Sequence, residues 1–236
     1  MRRVLELITL FVVMASARAD LILEFESKFT AAGSTLSPFD EGVGVTGTAL
    51  SRGTGLTAPA APPPDLLMST GFGTFPAAGG AVSADEFLIF GFTSTSAFDL
   101  TSLKVSYLKS PTGPDDLEVQ IDTGGLGVFT TIFTDSSIST TPEIASIDLS
   151  SFPEFDGLTS ATIRIVLFAG SGDPSGTFTL VNAVPTISGI PSGFGTILLE
   201  GTATAAAVPE PSSLVLIGVV ASAVAYRRRR TSHVVR

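Results

Sequence analysis

Glu86-Phe-Leu-Ile-Phe-Gly-Phe92 is a short, apolar segment rich in aromatic and branched side chains, which is typical of a β-strand in a protein core. Downstream, Leu103-Lys-Val-Ser-Tyr107 alternates apolar and polar residues. The next segment does the same, with Leu117, Val119 and Ile121 on one face. Because side chains of a strand point alternately to its two faces, this period of two predicts strands with one face in a core.

Similar segments continue in both directions along the chain. The diglycine Gly124-Gly125 separates two of them and predicts a hairpin turn. Roughly ten short strands with Gly, Pro and Asp turns, and no βαβ pattern, predict an all-β fold, an antiparallel β-sandwich of jelly-roll type. The other predicted strands are Leu21–Glu26, Val43–Leu50, Val128–Phe133, Ile144–Leu149, Thr162–Phe168, Gly176–Asn182 and Thr196–Glu200.

Residues 56–82 interrupt this pattern, because they are rich in Pro, Ala and Gly. We expect a long surface excursion from the sandwich. A linker between two domains is the alternative, but residues 20–55 are too few to form a stable domain alone. A single domain over residues 20–207 is therefore favoured.

The N-terminus has the organisation of a secretory signal peptide. A basic start at Met1-Arg2-Arg3 is followed by the mainly apolar residues 4–15. Small residues then stand at Ala17 and Ala19, the two positions that signal peptidase reads. The sequence predicts a signal helix within residues 1–19, removed so that Asp20 becomes the new N-terminus.

The C-terminus has a second processing signal, over residues 208–236. A polar, helix-breaking motif precedes an apolar helix predicted at residues 213–226, which is about 21 Å long against a bilayer core of about 30 Å. The helix is short for a permanent anchor, and the basic residues after it keep the C-terminus in the cytoplasm. The motif is Val208, Pro209, Glu210, Pro211 and Ser212, and the basic cluster is Arg227, Arg228, Arg229 and Arg230.

This tail resembles a PEP-CTERM sorting signal, also called the ice-binding protein C-terminal domain, a label that describes no activity. The resemblance covers about the last 30 residues. It implies export in a bacterium with an outer membrane, transient retention in the inner membrane and cleavage by exosortase near Pro209-Glu210-Pro211. It also implies delivery to the cell surface or an extracellular polysaccharide matrix. More loosely, residues 45–56, 100–107 and 178–182 resemble the jelly-roll ectodomains often found upstream of such tails.

Composition restricts the function of the predicted ectodomain. Residues 20–207 contain five basic and 20 acidic side chains, a net charge of about −15, which disfavours nucleic acid and anionic lipid as partners. The chain has no cysteine, and its one histidine, His233, lies beyond the tail helix. Ser-His-Asp and Cys-His catalysis and the usual zinc sites are therefore excluded from the ectodomain. A glycosidase with two carboxylates remains an alternative.

Two kinds of binding site remain candidates. Asp115, Asp116 and Glu118 lie in a turn and strand start, and such oxygens are calcium ligands; a turn of solvated carboxylates is the alternative. Carbohydrate binding lacks the usual aromatic platform, because the chain has no Trp and only Tyr107 lies in the ectodomain, where we expect it in the core. Strand carboxylates such as Glu86 and Asp122 are expected on solvated faces, and Arg164 is expected to point outward and pair with an acidic neighbour.

We therefore expect a non-enzymatic exported protein of the cell surface or extracellular matrix. Its predicted partners are signal peptidase, exosortase, the inner membrane through the tail and extracellular polysaccharide. A glycan-binding or calcium-dependent adhesion module is one alternative, and a polysaccharide-acting enzyme is another.

Overall fold

The computed structural model describes residues 20–26, 35–58, 67–170, 173, 175–181 and 195–204. These all lie in the first of two compact units, Met1–Thr204 and Ala205–Arg236. The described residues form an antiparallel all-β fold, as predicted. Its strands are β1 (Asp20–Phe25), β2 (Thr35–Leu36), β3 (Asp40–Glu41), β4 (Val45–Arg52), β5 (Leu67–Ser69), β6 (Phe87–Lys109), β7 (Asp116–Asp122), β8 (Thr130–Asp135), β9 (Glu143–Asp148), β10 (Leu158–Phe168), β11 (Phe178–Leu180) and β12 (Ile197–Ala203).

Strand β6 organises the fold, because the twelve strands form one continuous hydrogen-bonded sheet and its 23 residues pair with strands in both halves of it. We call these two halves the first sheet and the second sheet. Its first part pairs with β4 and β10, and the first sheet has the order β2-β4-β6-β10-β7-β8. Its second part pairs with β12 and β9, and the second sheet has the order β3-β1-β12-β6-β9. Strand β11 continues beside the end of β6 and also pairs with β5.

The main core lies between these two sheets. Leu88 and Phe90 from the first part of β6, and Leu103 and Val105 from its second part, are at most 1% exposed. Phe90 meets Phe25 of β1 edge to face, with ring centroids 5.2 Å apart. Burial of large apolar side chains from both parts of one strand holds the two sheets together.

Tyr107 lies in this core, as the alternation of its strand predicts. It is 2% exposed, and its ring stacks on Phe178 at a centroid distance of 5.7 Å. Its hydroxyl donates a hydrogen bond of 2.9 Å to Asp135. Burial and this carboxylate both raise the pKa of Tyr107. The one tyrosine of the predicted ectodomain is thus a core residue.

The structure differs from the predicted surface excursion over residues 67–83. This segment contributes strand β5 and a short helix, α1 (Ala78–Ser83), which lies on the outer face of the first sheet. Ala78 and Ala81 of α1 pack against Val166 and Phe168 of β10 in a second, smaller apolar cluster. The prediction missed the helix because two glycines weaken its intrinsic propensity, so its stability comes from packing.

The predicted signal helix and the predicted tail helix both lie outside the described residues. Across the described ranges, no helix combines the length and the apolar character that a membrane crossing requires.

Phe90 and Phe39 provide a matched pair of substitutions that tests this core. We expect Phe90→Ala to lower the free energy of unfolding by about 3–5 kcal/mol, because it leaves a cavity between the sheets. Phe39 is 61% exposed, and Phe39→Ala should change it by less than about 0.5 kcal/mol. Urea denaturation measures both. Equal effects of the two substitutions would contradict this assignment of the core.

Candidate functional site

Two carboxylates that were expected on solvated strand faces are buried. Glu86 is 5% exposed and Asp122 is 4% exposed. Both oxygens of Glu86 lie 2.9 Å from the backbone N–H of Gly73, which donates to them. Burial raises the pKa of Glu86, and the hydrogen bond from Gly73 opposes part of that rise. Glu86 therefore fixes the segment that leads into α1.

Two of the three calcium candidates have other partners. Asp115 forms an ion pair with Lys109, and Glu118 accepts hydrogen bonds from Gln120 and Thr131. Burial and the charges of Asp115 and Asp135 raise the pKa of Asp116. Within the described ranges, no group of three acidic, His or Cys side chains is arranged to hold a metal ion. The structure thus does not join Asp115, Asp116 and Glu118 in a metal site.

Arg164 lies at one end of a hydrogen-bonded row on the outer face of the first sheet. Its Nε donates to Oε1 of Gln120 at 2.6 Å. The side-chain amide of Gln120 donates in turn to Oε2 of Glu118 at 2.7 Å. The Thr131 hydroxyl donates to the same oxygen at 3.1 Å. Adjacent strands place these groups side by side, because Gln120 is opposite Arg164 and also opposite Thr131.

The surroundings of Arg164 differ from the expected pairing with an acidic neighbour. The guanidinium carbon is 3.8 Å from the ring centroid of Phe129 and 5.9 Å from that of Phe87. Partial burial lowers the pKa of Arg164, and the charge of Glu118 opposes this. The side chain points outward, as predicted, but its direct partners are an amide and an aromatic ring.

The β7–β8 hairpin ends in a turn that Asp122 holds in place. One oxygen of this buried carboxylate accepts the N–H of Gly124 at 2.9 Å, and the other accepts that of Gly127 at 2.8 Å. Gly125 and Gly127 have φ of 64° and 75°, values that favour glycine. The turn presents Leu126 and Val128, which are 83% and 72% exposed.

This hairpin, predicted from Gly124-Gly125, is confirmed by the pairing of β7 with β8. The turn and the row around Arg164 are neighbouring parts of the protein surface, since Phe129 follows the turn and stacks on Arg164. We call this surface the hairpin-tip patch. It consists of Glu118, Leu126, Val128, Phe129, Thr131 and Arg164.

A separate cleft of about 510 Å³ lies where the two ends of the described domain meet. Its lining includes Asp20 and Leu21 of β1, Asp40 of β3 and Ala203 of β12. Asp20, the predicted first residue after signal cleavage, is the first residue of β1 and pairs with Gly201. The cleft therefore lies beside the predicted new N-terminus.

The remaining predicted site residues lie outside the described residues. They are Ala17 and Ala19 of the predicted signal cleavage site, Val208, Pro209, Glu210, Pro211 and Ser212 of the sorting motif, and Arg227, Arg228, Arg229 and Arg230 of the basic cluster.

Comparison with known proteins identifies the tail. A PEP-CTERM protein-sorting motif is found at residues 207–230, which confirms the predicted sorting signal and indicates an exported, membrane-transiting protein. No curated protein matches the chain.

Among solved structures, a "Carbohydrate binding module family29" matches at 13% identity and a TM-score of 0.39, covering 78% of this chain and 89% of that one. A family 29 carbohydrate binding module from Piromyces equi matches at 9% identity and a TM-score of 0.38, covering 81% and 94%. A family 89 glycoside hydrolase from Clostridium perfringens matches at 13% identity and a TM-score of 0.33, covering 71% of this chain and 15% of that one. No functional conclusion follows from similarities this low.

The contacts of the acidic turn predict that calcium does not stabilise the domain. Lys109 already neutralises Asp115, and Glu118 is held by Gln120 and Thr131. The melting temperature should therefore be the same in EDTA and in millimolar calcium chloride, since a ligand raises it only by binding the folded state. A rise with calcium that Asp116→Asn abolishes would contradict this expectation.

The role of Asp122 is tested by Asp122→Ala. We expect a loss of about 1–3 kcal/mol in the free energy of unfolding, because the turn loses the acceptor of two backbone N–H groups. Hydrogen exchange should accelerate at the amides of Gly124 and Gly127. Asp156 is exposed, and Asp156→Ala is the matched control, with neither effect. Unchanged exchange at both glycines in Asp122→Ala would disprove the role.

Proposed function

We propose that this chain is a non-enzymatic exported protein that exosortase sorts to the cell surface or extracellular matrix. In this proposal signal peptidase releases Asp20, the tail holds the precursor in the inner membrane, and exosortase cuts near Pro209-Glu210-Pro211. The observation that carries the proposal is the PEP-CTERM protein-sorting motif at residues 207–230.

The physical properties of the tail support this route. The apolar segment of residues 213–226 is shorter than a bilayer core is thick, and four consecutive arginines follow it. Such a segment suits transient retention with the arginines in the cytoplasm. The domain that precedes it then lies on the opposite side of the membrane, where processing releases it.

The position of the last strand also supports processing at this site. Strand β12 ends at Ala203, and Thr204 donates its backbone N–H to Ala97. Pro209 lies beyond both residues. A cut near Pro209-Glu210-Pro211 therefore removes none of the described strands, so the released protein keeps its fold.

The absence of catalysis is proposed on chemical grounds. Residues 20–207 contain neither His nor Cys, which leaves carboxylates as the main candidates for acid–base work. Several of these carboxylates have structural partners: Glu86 holds Gly73, Asp122 holds the hairpin turn, and Glu118 holds Gln120. A net charge of about −15 over the same residues suits a protein that remains dispersed in a matrix.

Intact mass of the protein from cell envelope and medium, with and without the exosortase, tests the proposal. We expect a form that runs from Asp20 to the Pro209-Glu210-Pro211 region in the presence of the enzyme, and an uncut tail in its absence. Replacing Pro209, Glu210 and Pro211 by alanine should give the uncut form even with the enzyme present.

Pro153 and Glu154 offer a matched control, because they form another Pro-Glu pair, in an exposed turn of the domain. Pro153→Ala with Glu154→Ala should leave processing unchanged. An uncut C-terminus in the membrane fraction of both strains would make the tail a plain anchor and would overturn the proposal.

A further inference from the structure

Arg164 is paired differently from the other described cations. Lys104 forms an ion pair with Glu200, and Lys109 forms one with Asp115. Arg52 donates to the Ser69 hydroxyl and to the carbonyl of Met68. Arg164 donates through its Nε to Gln120, and among the described residues no acceptor is found for its terminal N–H groups and no carboxylate lies at ion-pair distance. Its terminal N–H groups therefore keep their capacity to donate.

These donors are held in a fixed position. Gln120 is 8% exposed, and its amide is fixed on one side by Arg164 and on the other by Glu118. The Phe129 ring, 3.8 Å from the guanidinium carbon, supports the flat face of that group. A carboxylate has room for about four hydrogen bonds, and Glu118 accepts two of them within the row. The row thus presents hydrogen-bond donors and acceptors to solvent. Because their side chains are already held in place, they lose little conformational entropy when a ligand binds.

Two exposed apolar residues precede Phe129 in the chain. Leu126 and Val128 are 83% and 72% exposed, although the turn that bears them is tied down by Asp122. Exposed aliphatic side chains on a fixed turn, followed by Phe129, offer contact area to a ligand with an apolar side. The hairpin-tip patch therefore combines hydrogen-bonding groups with an apolar rim.

The negative charge around Arg164 and of the whole predicted ectodomain restricts the class of ligand that can bind to this patch. Glu118 is linked to the guanidinium through Gln120, and the predicted ectodomain has a net charge of about −15. A polyanionic glycan or an anionic lipid surface would be repelled. A neutral sugar ring fits better, because it has an apolar C–H side and hydroxyl groups that both donate and accept.

We propose that the hairpin-tip patch binds a neutral polysaccharide, with hydroxyl groups on Arg164, Glu118 and Thr131 and the C–H side of a sugar on Leu126 and Val128. This inference rests on the proposed function, to which it adds a class of ligand and a binding site. The fixed Gln120 positions Arg164 without facing the sugar.

Affinity electrophoresis of the full-length chain in detergent tests the site, with gels that contain galactomannan, β-glucan, mannan or the acidic polysaccharide alginate. We expect retardation by at least one neutral polysaccharide and none by alginate. Arg164→Met should weaken that binding about tenfold or more, since it removes several charge-assisted hydrogen bonds. Lys104→Met is the matched control, because it removes a cation from the outer face of the second sheet, and it should bind as the native chain does.

A second variant avoids any effect on the hydrogen-bonded row. Leu126→Ser with Val128→Ser changes only exposed side chains, so it should keep the native melting temperature and still weaken binding.

Three results would overturn the proposal: no retardation by any neutral polysaccharide, native binding in both variants, or retardation by alginate alone. Because the mass measurement tests sorting separately, a negative binding result leaves the sorting proposal standing.

Discussion

Strand β6 is the constraint on which the rest of the structure depends. Its 23 residues supply hydrogen-bonding partners to β4 and β10 in one sheet and to β9, β11 and β12 in the other. Once its inward side chains are buried, the register of each neighbour follows, because a slip by one residue would turn an apolar face to solvent. Both the position of Arg164 on β10 and the closure of the chain ends through β12 follow from this one strand.

The carboxylates of this acidic protein are used to order its loops. Glu86 binds the backbone of Gly73 before α1, Asp122 binds two glycines of the hairpin turn, and Glu24 accepts the N–H of Gly195 at 2.7 Å. Each replaces a hydrogen bond that a sheet would otherwise provide, and a charged acceptor makes such a bond stronger than a neutral one. The loops gain order without cysteine.

The alternation of apolar residues was enough to predict the longer strands and the antiparallel class, but not the short strands β2, β3 and β5. It could not predict that residues 87–109 form one strand, because the polar residues Thr93-Ser-Thr-Ser96 look like a break between two. Nor could it predict the burial of Asp122. The outward position of this residue was correct, but the following turn, tied back by its carboxylate, limits access to it. Helix α1 was missed because tertiary packing outweighs its weak propensity.

The candidate functional residues also include some that the sequence predicts and some that it does not. The sorting motif is a local pattern of residues in a fixed order, so one sequence was sufficient to find it. The hairpin-tip patch joins Glu118, Phe129 and Arg164 from three separate segments, and only the register of β7, β8 and β10 brings them together. The pairing of β1 with β12 has a further consequence. If signal peptidase cuts before Asp20, the first residue of the chain is already paired with Gly201 in a strand. No unpaired N-terminal segment then precedes the sheet for an aminopeptidase to bind. In the mature form that we propose, this pairing therefore protects the N-terminus from stepwise digestion.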